Sequence, residues 1–238
     1  MRLGYKFLLL QATIGFGFMN VSEAGSIRLS PVKIELLDTE NASSLTLYNQ
    51  SSESSNYQIR AFKWTQNQGE DMLQETDEIA VSPPILNLKP DVSFTIRIVR
   101  TKPSTLIDES SYRILIDELP KPVDQRKAGQ GVNIIMRSSV PMFVTNKDAI
   151  PQLSIEFDPS SKSEMWIRNS GKRYAYLSSL SIKNLTTDEE ISIPVNTING
   201  YILSGQAKKY KIQNDTWLNN PAHQYSVKAT VNGTTMEF

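Results

Sequence analysis

The residues that could do chemistry in this chain are few, and they form no catalytic motif. The one histidine, His223, lies in the loop sequence "NNPAHQY", and no G-x-S-x-G segment accompanies it. A Ser-His-Asp site would therefore depend on a single loop residue. The chain has no cysteine, no Gly-rich phosphate loop and no carboxylate pair singled out by its spacing. The sequence predicts a protein that is not an enzyme, and it predicts neither a cofactor nor a metal site.

A different kind of chemistry, recognition through a strand, is indicated by "GVNIIMRSSVPMFV" at residues 131–144. Because side chains alternate along a strand, Val132, Ile134 and Met136 share one face, and Arg137 follows on the opposite face. Such alternation is typical of a strand that packs against its own core. From the residues alone, that interpretation and an apolar face offered to a partner both stay open.

The N-terminus has the features of a secretory signal peptide. Arg2 and Lys6 flank the start of an apolar run at residues 7–19, and the small residues of "SEA" end at Ala24. The run is shorter than the roughly 20 residues that a bilayer span needs. We therefore predict cleavage after Ala24 and export of the mature chain.

Composition limits the partners that this chain can bind. Lys+Arg and Asp+Glu are both 25, so the net charge is zero. The chain lacks the basic field on which nucleic-acid binding depends, and no nucleic-acid partner is predicted. Without cysteine there is no disulfide framework, so the core alone must hold the fold.

Short alternating segments recur along the whole mature chain, which predicts strands and no long helix. They lie at residues 44–49, 57–64, 93–100, 111–119, 152–157, 163–169, 174–184, 189–195, 208–212 and 224–231. Turn-forming stretches separate them, and in one of these Ser82-Pro83 is a candidate cis peptide, although base rates favour the trans form. The pattern predicts an all-β chain of two tandem Ig-like β-sandwiches. With a hydrophilic stretch at residues 145–152, the expected division is a signal peptide at 1–24 and domains at 25–147 and 148–238.

An ordered series of motifs resembles a known family, the periplasmic pilus chaperones of the PapD type. The motifs of the first domain are "VSPPILNLKPDVSFTIRIVR" (81–100), "SYRILIDELP" (111–120) and "IIMRSSVPMFV" (134–144). In the second domain, "GYILSGQAKKYKI" (200–212) is similar to the archaic, spore-coat-U-associated branch. The resemblance implies an L-shaped arrangement of two Ig-like domains and a location in the periplasm of a Gram-negative bacterium.

The resemblance also implies a use for the apolar face of residues 131–144. A chaperone of this family lends its strand G to a pilus subunit whose Ig-like fold lacks the last strand, and delivers that subunit to an outer-membrane usher. On this interpretation Val132, Ile134 and Met136 are inserted into the subunit. Ile135 lies on the other face and is expected to pack inward.

The family binds the subunit's C-terminal carboxylate through two basic residues. The first position aligns with Lys33, where an ammonium replaces the family's guanidinium and gives point-charge binding. The second aligns with Ser139, so the family pattern is broken there. Strands carrying other arginines are expected to neighbour this region, and the candidates for the carboxylate anchor are therefore Lys33, Arg137, Arg97, Arg100 and Arg113. A surface charge, or a structural pair with Asp117 or Glu118, is the alternative for each.

Two other classes of exported protein stay open, a pilus subunit and an Ig-like surface-binding module. A subunit typically has one incomplete domain and an apolar N-terminal extension. Here "GSIRLSPVKIEL" runs directly into a strand and two sandwiches follow, which favours the chaperone. The sequence leaves open which subunits are bound and whether free molecules form a dimer through exposed edges.

Overall fold

The computed structural model describes residues 27–120, 135–158, 163–213 and 222–238. The predicted signal peptide and the candidate residues Val132 and Ile134 lie outside these ranges. All regular elements within them are β-strands, so the all-β prediction is confirmed.

None of the described residues forms a helix of the length and apolar character that crossing a bilayer requires.

The first domain is a sandwich of two sheets. Its strands are β1 (Ile27–Ser30), β2 (Ile34–Leu37), β3 (Ala42–Asn49), β4 (Ser55–Asn67), β5 (Glu70–Glu75), β6 (Ile79–Ser82), β7 (Ile85–Leu88), β8 (Ser93–Arg100), β9 (Ser110–Leu119) and β10 (Arg137–Thr145). One sheet has the order β1-β3-β8-β6, and the other has the order β2-β10-β9-β4-β5, with β7 also paired to β4. Alternate residues such as Leu45, Ile96, Ile114 and Met142 are fully buried between the sheets, as expected for half-buried strands.

The second domain is built in the same way. Its strands are β11 (Leu153–Phe157), β12 (Glu164–Asn169), β13 (Ala175–Asn184), β14 (Glu190–Ser192), β15 (Tyr201–Ile202), β16 (Ala207–Lys211), β17 (Tyr225–Val231) and β18 (Thr234–Glu237). The sheet orders are β11-β12-β16 and β14-β13-β17-β18, and β15 also pairs with β13. Ile167, Leu177, Ile182 and Val227 belong to its separate core.

The chain changes from one sheet to the other between β1 and β2, and this change determines how much of β10 is paired. Strand β1 pairs antiparallel with β3, whereas β2 pairs parallel with β10 in the opposite sheet. The Ser30-Pro31 bond between them is cis, and so is Ser82-Pro83, against the base rate that favoured trans. Because β2 has only four residues, it covers only part of β10.

The two domains meet through a compact apolar cluster. Trp64 and Phe143 of the first domain pack against Tyr174, Tyr201 and Leu203 of the second. The rings of Phe143 and Tyr174 are stacked with their centroids 4.0 Å apart. Since Phe143 lies in β10, the contact between the domains is made partly by this strand.

Candidate functional site

Strand β10 has two halves that differ in their pairing. It pairs antiparallel with β9 from Arg137, opposite Asp117, to Val144, opposite Ser110. On its other side it pairs with β2 only over residues 142–145. Residues 137–141, here called the open half, therefore have no second neighbour among the described strands, whereas residues 142–145 form the paired half.

The backbone groups of the open half can be assigned to one side or the other. The N–H of Glu118 donates to the carbonyl of Met136 at 2.9 Å, and the N–H of Asp38 donates to the carbonyl of Thr145 at 2.9 Å. Because direction alternates along a strand, even positions face β9 and odd positions face the opposite side. The N–H and C=O groups of Arg137 and Ser139 therefore point out of the sheet edge, which is a template for another strand.

The side chains alternate between two different environments. Val140 and Met142 point into the core of the first domain, and Met136 lies on the same face but is 44% exposed. Ile135 is 51% exposed, so the expectation that it packs inward is wrong. The physical reason is the alternation itself, because odd positions such as Phe143 face away from that core.

Lys33 lies in a small network that joins the two domains. Its Nζ donates to Tyr174 Oη at 2.7 Å and lies 3.1 Å from Glu35 Oε1. Glu35 Oε2 is 3.1 Å from Arg173 Nη2. Burial acts to raise the pKa of Glu35, but hydrogen bonds from Tyr174 and Lys33 outweigh it, so the pKa lies below its usual value. Lys33, Glu35 and Arg173 together carry one net positive charge.

Arg137 belongs to a second network of the same kind on the outer face of the open half. Arg137 Nε donates to Asp117 Oδ1, and Arg60 Nη2 donates to Asp117 Oδ2 at 2.7 Å. Burial opposes ionisation of Asp117, but the two arginines prevail and lower its pKa. Two cations again share one carboxylate. The Arg137 side chain remains 63% exposed, so it stays accessible to a ligand.

The other three basic candidates occupy different environments. Strand β8, which holds Arg97 and Arg100, is in the sheet opposite β10, so the expectation that it neighbours this strand is wrong. Arg97 is exposed, and the buried Arg100 donates to the carbonyls of Asp38, Glu40 and Ser104 at 2.6–3.0 Å.

Arg113 does lie in β9, next to β10, but it is a structural contact between the domains. Its guanidinium lies 3.7 Å from the centroid of the Trp64 ring and donates to Asn199 Oδ1 at 2.9 Å. Asp71 is 3.9 Å away. The structure thus brings Lys33 and Arg137 to the accessible face of the β2-β10-β9 region and does not bring Arg97 or Arg100 there.

A buried carboxyl group beside Tyr174 was missed by the sequence analysis. Glu109 Oε1 accepts the N–H of Tyr174 at 3.0 Å, and the N–H of Glu109 donates to the carbonyl of Lys172 at 3.1 Å. Its Oε2 is buried and has no hydrogen-bond partner. Burial raises the pKa of Glu109 to about 8 although the Tyr174 N–H and Arg173 oppose it, so the group is mostly protonated at neutral pH. No sequence pattern distinguishes Glu109 from a surface glutamate.

Tyr174, Arg173 and Glu35 were also missed. Glu35 could have been suspected because it follows Lys33 by two residues on the same strand face. Tyr174 and Arg173 come from the other domain, and only the packing of the domains brings them to Lys33. Within the described ranges, no cluster of His, Cys, Asp or Glu could hold a metal ion.

These features define the class of protein. It has two Ig-like domains, and one long strand of the first domain has an open half. The model of the family of pili and flagellar-assembly chaperones, PapD N-terminal domain, matches residues 26–148. Since this is more than half of the 238 residues, the chain belongs to this family of chaperones, which are not enzymes. Family membership favours the chaperone over the pilus subunit and the surface-binding module.

Solved structures confirm the predicted fold of two Ig-like domains. The CsuC–CsuE chaperone-tip adhesion subunit complex, from archaic Csu pili of Acinetobacter baumannii, matches with 23% identity and a TM-score of 0.64, covering 89% of this chain and 97% of that one. The YadV chaperone matches with 16% identity, a TM-score of 0.63, and coverage of 89% and 97%. The Salmonella enterica SafA pilin–SafB chaperone complex gives 14% identity, a TM-score of 0.63, and coverage of 91% and 97%. Among curated proteins, none matches significantly.

Proposed function

We propose that this protein is a periplasmic chaperone that stabilises pilus subunits by donor-strand complementation and delivers them to an outer-membrane usher. The observation that carries the proposal is the open half of β10. Its outward N–H and C=O groups at Arg137 and Ser139 are available to a strand of a client. The predicted signal peptide provides the route to the periplasm.

The apolar donor residues follow from the same strand direction. Val132, Ile134 and Met136 have the even parity of Val140 and Met142, which fill the chaperone's own core. When β10 is continued from residue 137 toward the N-terminus, it presents these side chains to the unfinished core of a client. Each fully buried aliphatic side chain contributes about 1.5–3 kcal/mol, so the three together stabilise a complex by several kcal/mol.

The carboxylate anchor of the client is assigned to Lys33 and Arg137. Each is accessible, and each shares a carboxylate, Glu35 or Asp117, with a second cation. The surplus positive charge favours a bound carboxylate, which needs charge-assisted hydrogen bonds when it leaves water. Arg97, Arg100 and Arg113 are not part of the proposal because their positions serve the other sheet or the domain contact.

The test is a pair of substitutions at neighbouring positions, made while a candidate pilus subunit is co-expressed. Ile134→Asp places a charge among the donor residues, and Ile135→Asp places the same charge on the opposite face. We expect the first to reduce recovery of the one-to-one complex by about tenfold or more and to shorten the subunit's lifetime. The second should leave both measurements close to the parent values.

The donor-strand assignment is contradicted if the Ile134→Asp protein protects the subunit as effectively as the parent protein does. Equal damage by both variants also contradicts it, since the effect then does not depend on the face. Circular dichroism of each variant alone establishes that the chaperone itself is folded.

A further inference from the structure

We propose that Tyr174, from the second domain, is a positioning residue for the carboxylate anchor Lys33. On this proposal, capture of a client's C-terminal carboxylate depends on how the two domains contact each other. The inference rests on the proposed function, because it concerns the same ligand, but its experiment uses no pilus subunit.

Lys33 has more hydrogen-bond donors than it uses within the described part of the protein. An ammonium has three N–H donors. One donates to Tyr174 Oη at 2.7 Å, and a second is directed at Glu35 Oε1, 3.1 Å away. Among the described residues, no further acceptor is in contact with Lys33 Nζ, so one donor is available to a ligand. The side chain is 40% exposed, which leaves this donor accessible.

The Tyr174 hydroxyl accepts a hydrogen bond from Lys33 and donates one to Glu35 Oε1. The phenol therefore connects the ammonium to the carboxylate and fixes the direction in which the remaining donor points. Because lysine has a long flexible stem, an unsupported ammonium has to be ordered when a ligand binds.

Tyr174 itself is held by the first domain. Its ring stacks on Phe143 of β10 with a centroid separation of 4.0 Å, and its backbone N–H donates to Glu109 Oε1 at 3.0 Å. The hydroxyl is thus placed by contacts between the domains and not by the second domain alone. Loss of these contacts removes the support of Lys33.

The charge of the network defines the ligand class. Arg173 lies 3.1 Å from Glu35 Oε2, so the one carboxylate serves two cations. An additional carboxylate brings the group to neutrality. A neutral amide of the same shape does not, so the site should distinguish a chain terminus with a free carboxylate from an amidated one.

The experiment compares two small probes, N-acetylglycine and N-acetylglycinamide, titrated into the mature chain and followed by NMR shifts of backbone amides near Lys33. The ratio of their affinities measures recognition of the carboxylate alone. We expect Tyr174→Phe, which keeps the ring on Phe143, to lower this ratio about threefold to tenfold. Tyr176→Phe is the matched control, because its hydroxyl donates to the carbonyl of Thr197 in the same region.

A double-mutant cycle separates positioning from general damage. Lys33→Ala should remove the part of the preference for the acid that Lys33 supplies and leave the part that Arg137 supplies, and Tyr174→Phe should then have no further effect. The proposal is overturned if Tyr174→Phe lowers the ratio equally in both backgrounds, if Tyr176→Phe does the same, or if Tyr174→Phe leaves it unchanged.

A parent protein without any preference for the acid also overturns the proposal, whatever the fate of the donor-strand test. Conversely, failure of the Ile134→Asp test with an intact cycle here removes the donor strand and retains the positioning role. The two proposals therefore fail independently.

Discussion

The two halves of β10 belong to one strand, yet they have opposite surroundings. In the paired half every residue from Met142 to Thr145 is buried, because the first domain's core covers one face and the second domain helps to cover the other. In the open half Arg137 and Ser139 are exposed, and one edge has no strand beside it within the described part of the chain. The same backbone is thus a structural element at one end and, on the proposed function, a binding surface at the other.

The difference between the halves comes from the short length of β2. Its four residues pair with β10 only as far as Met142. Pro141, the next residue, has no N–H to offer a neighbour on that side. The end of β2 therefore decides which part of β10 is paired. For this reason, substitutions in the two halves should differ in their effects on the free energy of unfolding and on client binding.

The largest effect is expected from substituting the same residue type in each half. Met142 is fully buried in the core, whereas Met136 is 44% exposed. Met142→Ala should lower the free energy of unfolding by about 2–5 kcal/mol through lost burial and a cavity. Met136→Ala should change it by less than about 0.5 kcal/mol. Denaturant unfolding of the free protein measures both.

Client binding provides the converse comparison for these two variants. Met136→Ala should weaken the complex with a pilus subunit even though the free chaperone is unaffected. Similar unfolding free energies for the two variants would show that Met136 is packed as firmly as Met142, and the distinction between the halves would be lost.

The next largest effect is a pH dependence of the free energy of unfolding. It arises from Glu109, near the paired half of β10. Glu109 contacts the Tyr174 N–H, and the groups near it are Arg173, Glu35 and the Thr145 hydroxyl. Burial raises its pKa to about 8 from the ordinary 4.5, so folding favours the protonated carboxyl. The resulting stabilisation is complete below about pH 4.5 and is lost as the pH rises through about 8.

Glu109→Gln imitates the protonated carboxyl and should remove this slope. We expect unfolding free energies measured from pH 5 to pH 8.5 to decline less in the variant than in the parent. Asp117, the β9 residue opposite Arg137, titrates in a different range, because its lowered pKa places its loss of stabilisation below about 3.8. Parallel pH profiles for parent and variant would contradict the assignment of the slope to Glu109.

Alternation along the strands predicted the all-β fold well, because burial on one face leaves a period of two in the sequence. It also placed Met136 and Arg137 on opposite faces. Pairing at the edges could not be predicted in this way, since alternation records which face is buried and not which edge is paired. The inward packing expected for Ile135 was wrong because odd positions of β10 face away from the core, and this outer face is exposed at Arg137 and Ser139.

The basic residues show the same limit. Lys33 was proposed through its alignment with a family position, but Tyr174, which contacts Lys33, and Arg173, which shares Glu35 with it, are about 140 residues away in the sequence and are brought near only by domain packing. Arg97 and Arg100 were expected in a strand that neighbours the β10 region. The sandwich puts β8 in the opposite sheet, so this expectation was wrong.

The smallest effect concerns the ion pair of the open half. Arg137 is 63% exposed, and Asp117 keeps its 2.7 Å contact with Arg60 when Arg137 is lost. Arg137→Gln should therefore lower the free energy of unfolding by only about 0.2–1 kcal/mol, and by less at high salt. Arg97→Gln, at an exposed arginine of the opposite sheet, is the control for loss of charge alone. A decrease of several kcal/mol in the free energy of unfolding on Arg137→Gln would contradict the distinction between the halves. It would mean that the open half contributes as much to the stability of the fold as the paired half does.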